Sequence, residues 1–79
     1  MAELVDETLK MLNKIEPMVE TLEITGEKGQ SMMTNMKAYI SDSRHFMKTG
    51  DLVRAFECAV WAWAILELCE EFGVFKIGK

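Results

Sequence analysis

The sequence predicts an all-α fold, an antiparallel up-and-down bundle of three helices. Apolar residues recur at spacings of three and four along three separate segments, and two short polar or glycine-bearing stretches divide them. A length of 79 residues suffices for one small core and not for two. With 49% hydrophobic residues, one proline and five glycines, the chain has the apolar content to fold rather than to stay disordered. The expected domain covers residues 1–75, with a flexible tail over residues 76–79.

The first helix is expected over residues 4–24, where Leu4, Val5, Leu9, Leu12, Ile15, Val19 and Leu22 mark one amphipathic stripe. Pro17 interrupts it, because proline cannot donate to the carbonyl of Asn13 and crowds it. The helix therefore kinks at Pro17 or ends near it and restarts. The stripe keeps its phase across Pro17, which favours a kink. Early acids suit the positive end of the helix dipole, and Asp6 with Lys10 forms a supporting pair one turn apart.

"TGEKGQS", residues 25–31, carries two glycines and almost no apolar content, and reads as the first connection. It lacks the spacing and the Lys-Ser or Lys-Thr ending of a phosphate-binding loop. The second helix is expected over about residues 32–48. Met32, Met36, Tyr39, Ser43 and Phe46 share a face there, beside Met33, Ile40 and Met47. Methionines in such a stripe serve as flexible core filler or, less commonly, as an adaptable docking surface.

Thr49, Gly50 and Asp51 form the second connection. Gly50 suits a left-handed helix cap, and the Asp51 side chain can accept from the free amides that open the next helix. So short a link makes neighbouring helices antiparallel.

The third helix is expected over residues 52–72, ending at Gly73, with Val74 or Phe75 folding back as its hydrophobic closure. Turning it by 100° per residue gathers Leu52, Phe56, Ala59, Val60, Trp63 and Leu66 in one sector, with Ala55, Cys58, Ala62, Ile65 and Cys69 in the next. Those sectors can bury against the other helices, and the small Ala55, Ala59 and Ala62 allow close approach. Arg54, Glu57, Glu67 and Glu71 mark the wet side, yet Trp61, Leu68 and Phe72 lie along its edge. A contiguous exposed apolar patch is the usual mark of a contact surface. These three residues are therefore the candidate interface, unless Val74, Phe75 and Ile77 fold over them.

Composition narrows the chemistry. A net charge of −4 opposes attraction to phosphate backbones and anionic lipids, so neither nucleic acid nor a membrane is an expected partner. The longest apolar run, residues 58–66, is less than half of the ~20 residues that cross a bilayer. Acids at Glu3, Asp6 and Glu7 argue against a secretory signal, so a cytoplasmic location is expected. Cys58 and Cys69 lie about 16 Å apart along one helix and cannot pair within it, leaving them as small buried hydrophobes. His45, the only histidine, faces water without a base or metal partner. Glu67, Glu70 and Glu71 read as a solvated acidic face, since no Glu-x-x-His pair accompanies them. No catalytic residue, metal or cofactor is expected, and the protein does not read as an enzyme.

Residues 39–75, "YISDSRHFMKTGDLVRAFECAVWAWAILELCEEFGVF", are similar to a small archaeal family of helical proteins, the domain of unknown function 357. The resemblance rests on Tyr39, Ser41, Asp42, Phe46, Gly50, Asp51, Leu52, Val53, Ala55, Phe56, Glu57, Gly73 and Phe75. The chain departs from the family pattern at Ser43, where alanine is usual. It also carries Ala64, Ile65, Leu66 and Glu67 where Gly-Trp-Leu-Asp is frequent. The resemblance implies a helical bundle, an archaeal source and no established activity. It also implies relatives attached to nucleotidyltransferase-like domains, a link to nucleotide metabolism.

The expected function is a non-enzymatic interaction module, self-associating or binding another protein through Trp61, Leu68 and Phe72. The alternative is an accessory domain that takes a small ligand in an interhelical groove lined by Met32, Met36 and Tyr39.

Overall fold

A computed structural model describes residues 2–77. The chain runs α1 (Ala2–Thr21), β1 (Glu23–Ile24), α2 (Gly26–Thr49), α3 (Leu52–Glu71) and β2 (Phe75–Lys76). The three helices form the expected antiparallel bundle. α3 is its axis, packed against both α1 and α2, whereas α1 and α2 meet only sparsely. The core lies along α3 and is built from Leu12 and Ile15 of α1, Met33, Met36 and Ile40 of α2, and Ala59, Ala62, Ile65, Leu66 and Cys69 of α3.

α1 passes through Pro17 without a break. The helix survives there because Ile15 before the proline is fully buried and Val19 after it packs on the core. Inward packing on both sides offsets the roughly 3 kcal/mol that an interior proline costs. Pro17 itself points to solvent.

α2 begins at Gly26, about two turns earlier than its composition led us to expect, so residues 26–31 are helix and not loop. The reason is tertiary. The Thr25 N–H donates to the Val74 carbonyl at 3.0 Å and the Thr25 carbonyl accepts from Gly29 at 3.2 Å, so the strand-like entry and the first turn are set together. Gly29 is buried and opens a buried series with Met33, Met36, Ile40 and Ser43 at alternating steps of four and three.

The link between α2 and α3 is built as the sequence indicates. Gly50 adopts φ 85°, and its N–H and that of Asp51 donate back to the carbonyls of Met47 and Phe46. The Asp51 carboxylate accepts from the Arg54 N–H at 3.3 Å. Above this turn the buried Ser43 Oγ donates to the Ala55 carbonyl at 2.7 Å, joining α2 to α3. Ser43→Ala is expected to cost about 1 kcal/mol, the usual net value of one such bond. Urea denaturation followed by circular dichroism measures it, and an unchanged midpoint would show that the bond contributes nothing.

The chain closes after α3 with Gly73 at φ 79°, and the Val74 N–H donates to Cys69 O at 2.8 Å. This turn sends Phe75 into the core, where it is 1% exposed. β2 then pairs antiparallel with β1, Glu23 opposite Lys76 and Ile24 opposite Phe75. The expected all-α class holds, with one short addition to the three helices. A two-stranded ribbon exists, and Lys76 belongs to it because its backbone finds partners on the segment that precedes α2. Gly78 and Lys79 lie outside the described residues.

Candidate interaction surface

α3 serves the core with one side and leaves the other open. Ala55, Ala59 and Ala62 are all buried, and their small side chains let α1 and α2 approach the axis closely. The opposite side carries exposed Val53, Val60, Trp61, Leu68 and Phe72 among Arg54, Glu57 and Glu71. Trp61 is 57% exposed, Leu68 52% and Phe72 75%. The carboxy-terminal segment does not cover them. Phe75 is spent on the core, Val74 packs at its edge and Ile77 is itself exposed.

Val60, placed in the core sector by its wheel position, is exposed. Val53 joins the same open face, although periodicity alone did not single it out.

The two tryptophans have divided roles. The Trp63 indole N–H donates to the Met11 carbonyl at 3.0 Å, and its ring packs on the core edge, tying α3 to α1. Trp61 instead stacks on Tyr39 of α2, with ring centroids 6.1 Å apart and planes 16° from parallel. That stacking holds the Trp61 ring in place while one face stays open.

The groove between α2 and α3 exists in reduced form. Met32 and Tyr39 line an open cleft of about 490 Å³ with Asn35, Ala38, Asp42, Trp61 and Ile65. Met36 is not part of it, because it is fully buried on the inner row of α2. A second open cleft of about 560 Å³ separates α1 from α2. The Arg44 guanidinium reaches across between these helices to Glu16 at 2.6 and 3.1 Å and to the Asn13 amide oxygen at 3.2 Å. The hydrogen bond to Glu16 raises the Arg44 pKa against the opposing effect of its burial. This bridge aligns two helices that otherwise share little contact.

Groups that carry chemistry are scattered. His45 is exposed, with its ring against the edge of Phe46. Both cysteines are free. Burial pushes the Cys58 thiol up, with Asp42 and Glu57 adding to the effect, and burial alone raises Cys69. Thiols so shifted stay protonated and are poor nucleophiles. Among the described residues, no three His, Cys, Asp or Glu side chains gather as a metal set, and no helix is long and apolar enough to cross a membrane.

Known proteins place this architecture. The family model described as a protein of unknown function, DUF357, matches residues 5–75. The crystal structure of a protein from Archaeoglobus fulgidus, assigned to the same family model, is similar to this chain at 51% identity with a TM-score of 0.88. The similarity covers 96% of this chain and 95% of that one, and the relative's archaeal source agrees with the resemblance carried by residues 39–75. No curated protein matches. A family match across all three helices, joined to a shared fold at that identity, means that the chain belongs to the DUF357 family of proteins of unknown function.

Proposed function

We propose that the protein is a non-enzymatic interaction module that works by self-association through the open face of α3. One observation carries the reading: Trp61, Leu68 and Phe72, with Val53 and Val60 beside them, stay exposed on one helix after every other element has packed. Leaving large apolar side chains in water forfeits roughly 1.5–3 kcal/mol each relative to full burial. A partner surface recovers that free energy, and aromatic residues are enriched in such contacts.

Sedimentation velocity of the wild type and of Trp61→Glu tests the reading. Trp61 is more than half exposed, so the substitution leaves the core intact. A dimer is expected for the wild type and a folded monomer for the variant. Monomers in both cases overturn the proposal.

The cleft beside Tyr39 favours a second reading, an accessory domain that holds a small ligand. Native mass spectrometry of protein purified from its own host separates the two, because a retained ligand adds a fixed mass to each chain whereas association doubles it.

A further inference from the structure

The geometry points to the occupant of this face: a second copy of the chain, lying antiparallel across α3 about a two-fold axis, with Arg54 of each copy against Glu71 of the other. This inference rests on the interaction reading and adds the partner, its direction and its register.

Two columns of residues run along the open face. Arg54, Trp61 and Leu68 recur every seven residues, and Glu57, Ala64 and Glu71 recur every seven residues three positions later. This is the spacing of the two seam columns of a helix pair, with Trp61, Ala64 and Leu68 as its apolar centre and the charged Arg54, Glu57 and Glu71 around them. Five of the six are exposed and Ala64 is half-buried, so the columns are free to meet a partner.

Symmetry then limits the choices, because a two-fold contact sets the same patch against itself. If the two α3 helices ran parallel, each column would meet its own copy. Arg54 would face Arg54, Glu57 would face Glu57 and Glu71 would face Glu71, so every charged layer would repel. Antiparallel helices exchange the columns, and their dipoles also oppose favourably.

Among antiparallel registers, one matches both charge and volume. It sets Arg54 opposite Glu71, the large Trp61 opposite the small Ala64, and Leu68 opposite the aliphatic stem of Glu57, whose carboxylate can reach the rim. Val53 of one copy then lies level with Phe72 of the other. A shift of one heptad in either direction places the Trp61 indole opposite Glu57 or Glu71 and removes Arg54 from Glu71. The register therefore joins the single basic residue of the seam to an acid twice per dimer, in a chain of net charge −4 that otherwise repels its copy.

Arg54 is available for this role. Its side chain is 67% exposed; the guanidinium lies 3.5 Å from the Asp51 carboxylate and over the Phe46 ring at 5.8 Å, contacts that leave most of the group open to solvent.

Charge exchange tests the register on the full chain. Arg54→Glu and Glu71→Arg are each expected to self-associate roughly tenfold more weakly than the wild type, since like charges then face each other twice. Mixed in equal amounts, the two variants are expected to form chiefly a heterodimer by native mass spectrometry, because both pairs regain opposite signs. The double variant Arg54→Glu with Glu71→Arg is expected to recover the homodimer. Both substitutions suit the helix dipole at their ends of α3, and circular dichroism checks that each variant folds. If the wild-type dimer is lost on Trp61→Glu but each charge variant dimerises normally and mixes statistically, the register is overturned while the interaction face stands. A monomeric wild type, or a dimer indifferent to Trp61→Glu, overturns both.

Discussion

Replacing Phe75 by alanine is expected to lower the unfolding free energy by about 3–5 kcal/mol, the usual cost of removing a buried phenyl ring from a packed core. Phe75 is 1% exposed and belongs to the core cluster, although it lies beyond the last helix. The turn at Gly73 and the bond from Val74 to Cys69 fix its direction, and its pairing with Ile24 fixes its depth. A domain of this length has a total stability of about 4–12 kcal/mol. The variant should therefore sit near its unfolding threshold, with a thermal midpoint roughly 15–30 °C lower. Thermal and urea unfolding measured by far-ultraviolet circular dichroism provide the check. A loss below about 1 kcal/mol would mean that the carboxy-terminal hook is not part of the core.

Gly29→Leu is expected to destabilise the fold by about 1–3 kcal/mol, against the direction that helix propensity alone gives. Removing glycine from a helix interior ordinarily stabilises by about 1 kcal/mol. Here a Cβ would lie 2.5 Å from the Ile24 Cγ2 and 3.3 Å from the Val74 Cγ1. Ile24 is β-branched and held in the ribbon by its pairing with Phe75, so its methyl group has little freedom to retreat. The larger side chain must separate α2 from β1, and the Thr25 bond to Val74 weakens with it. The control is Gly26→Ala, which meets no neighbour within 4 Å and is strained only through its φ of 71°. If Gly29→Leu matches or exceeds wild-type stability in urea, the close approach at Gly29 has no structural weight.

These two positions also show where the sequence was readable and where it was not. The helices were legible because each carries its own apolar stripe, and the turn at Gly50 and Asp51 because glycine and aspartate do local work that any chain context permits. The start of α2 differs from its sequence pattern, since two glycines within seven residues look like a loop and yet lie in the first turns of the helix. Gly29 nevertheless continues the buried series of Met33, Met36, Ile40 and Ser43 backwards by one step of four, a signal that spacing holds once glycine is admitted as a core residue. The β ribbon had no such signal. Two residues on each strand are too few for an alternation to register, and their pairing joins segments about fifty positions apart.

The candidate surface divides in the same way. Trp61, Leu68 and Phe72 were identifiable because helical geometry places them beside Glu57 and Glu71, away from the small residues that admit a neighbour. Met36 could not be separated from Met32 and Tyr39 in this manner. All three fall within one broad sector of α2, and only the position of α3 decides which is fully enclosed.

By itself, the sequence determined the number of helices, their direction and the excess of apolar surface on the last of them, because these depend on periodicities and caps that act within a turn or two. Tertiary structure decided that α2 starts early, that Phe75 closes the core and that the face around Trp61 stays open. Each of those outcomes depends on which distant segment fills a given space, and one carboxy-terminal aromatic cannot occupy the core and cover α3 at once.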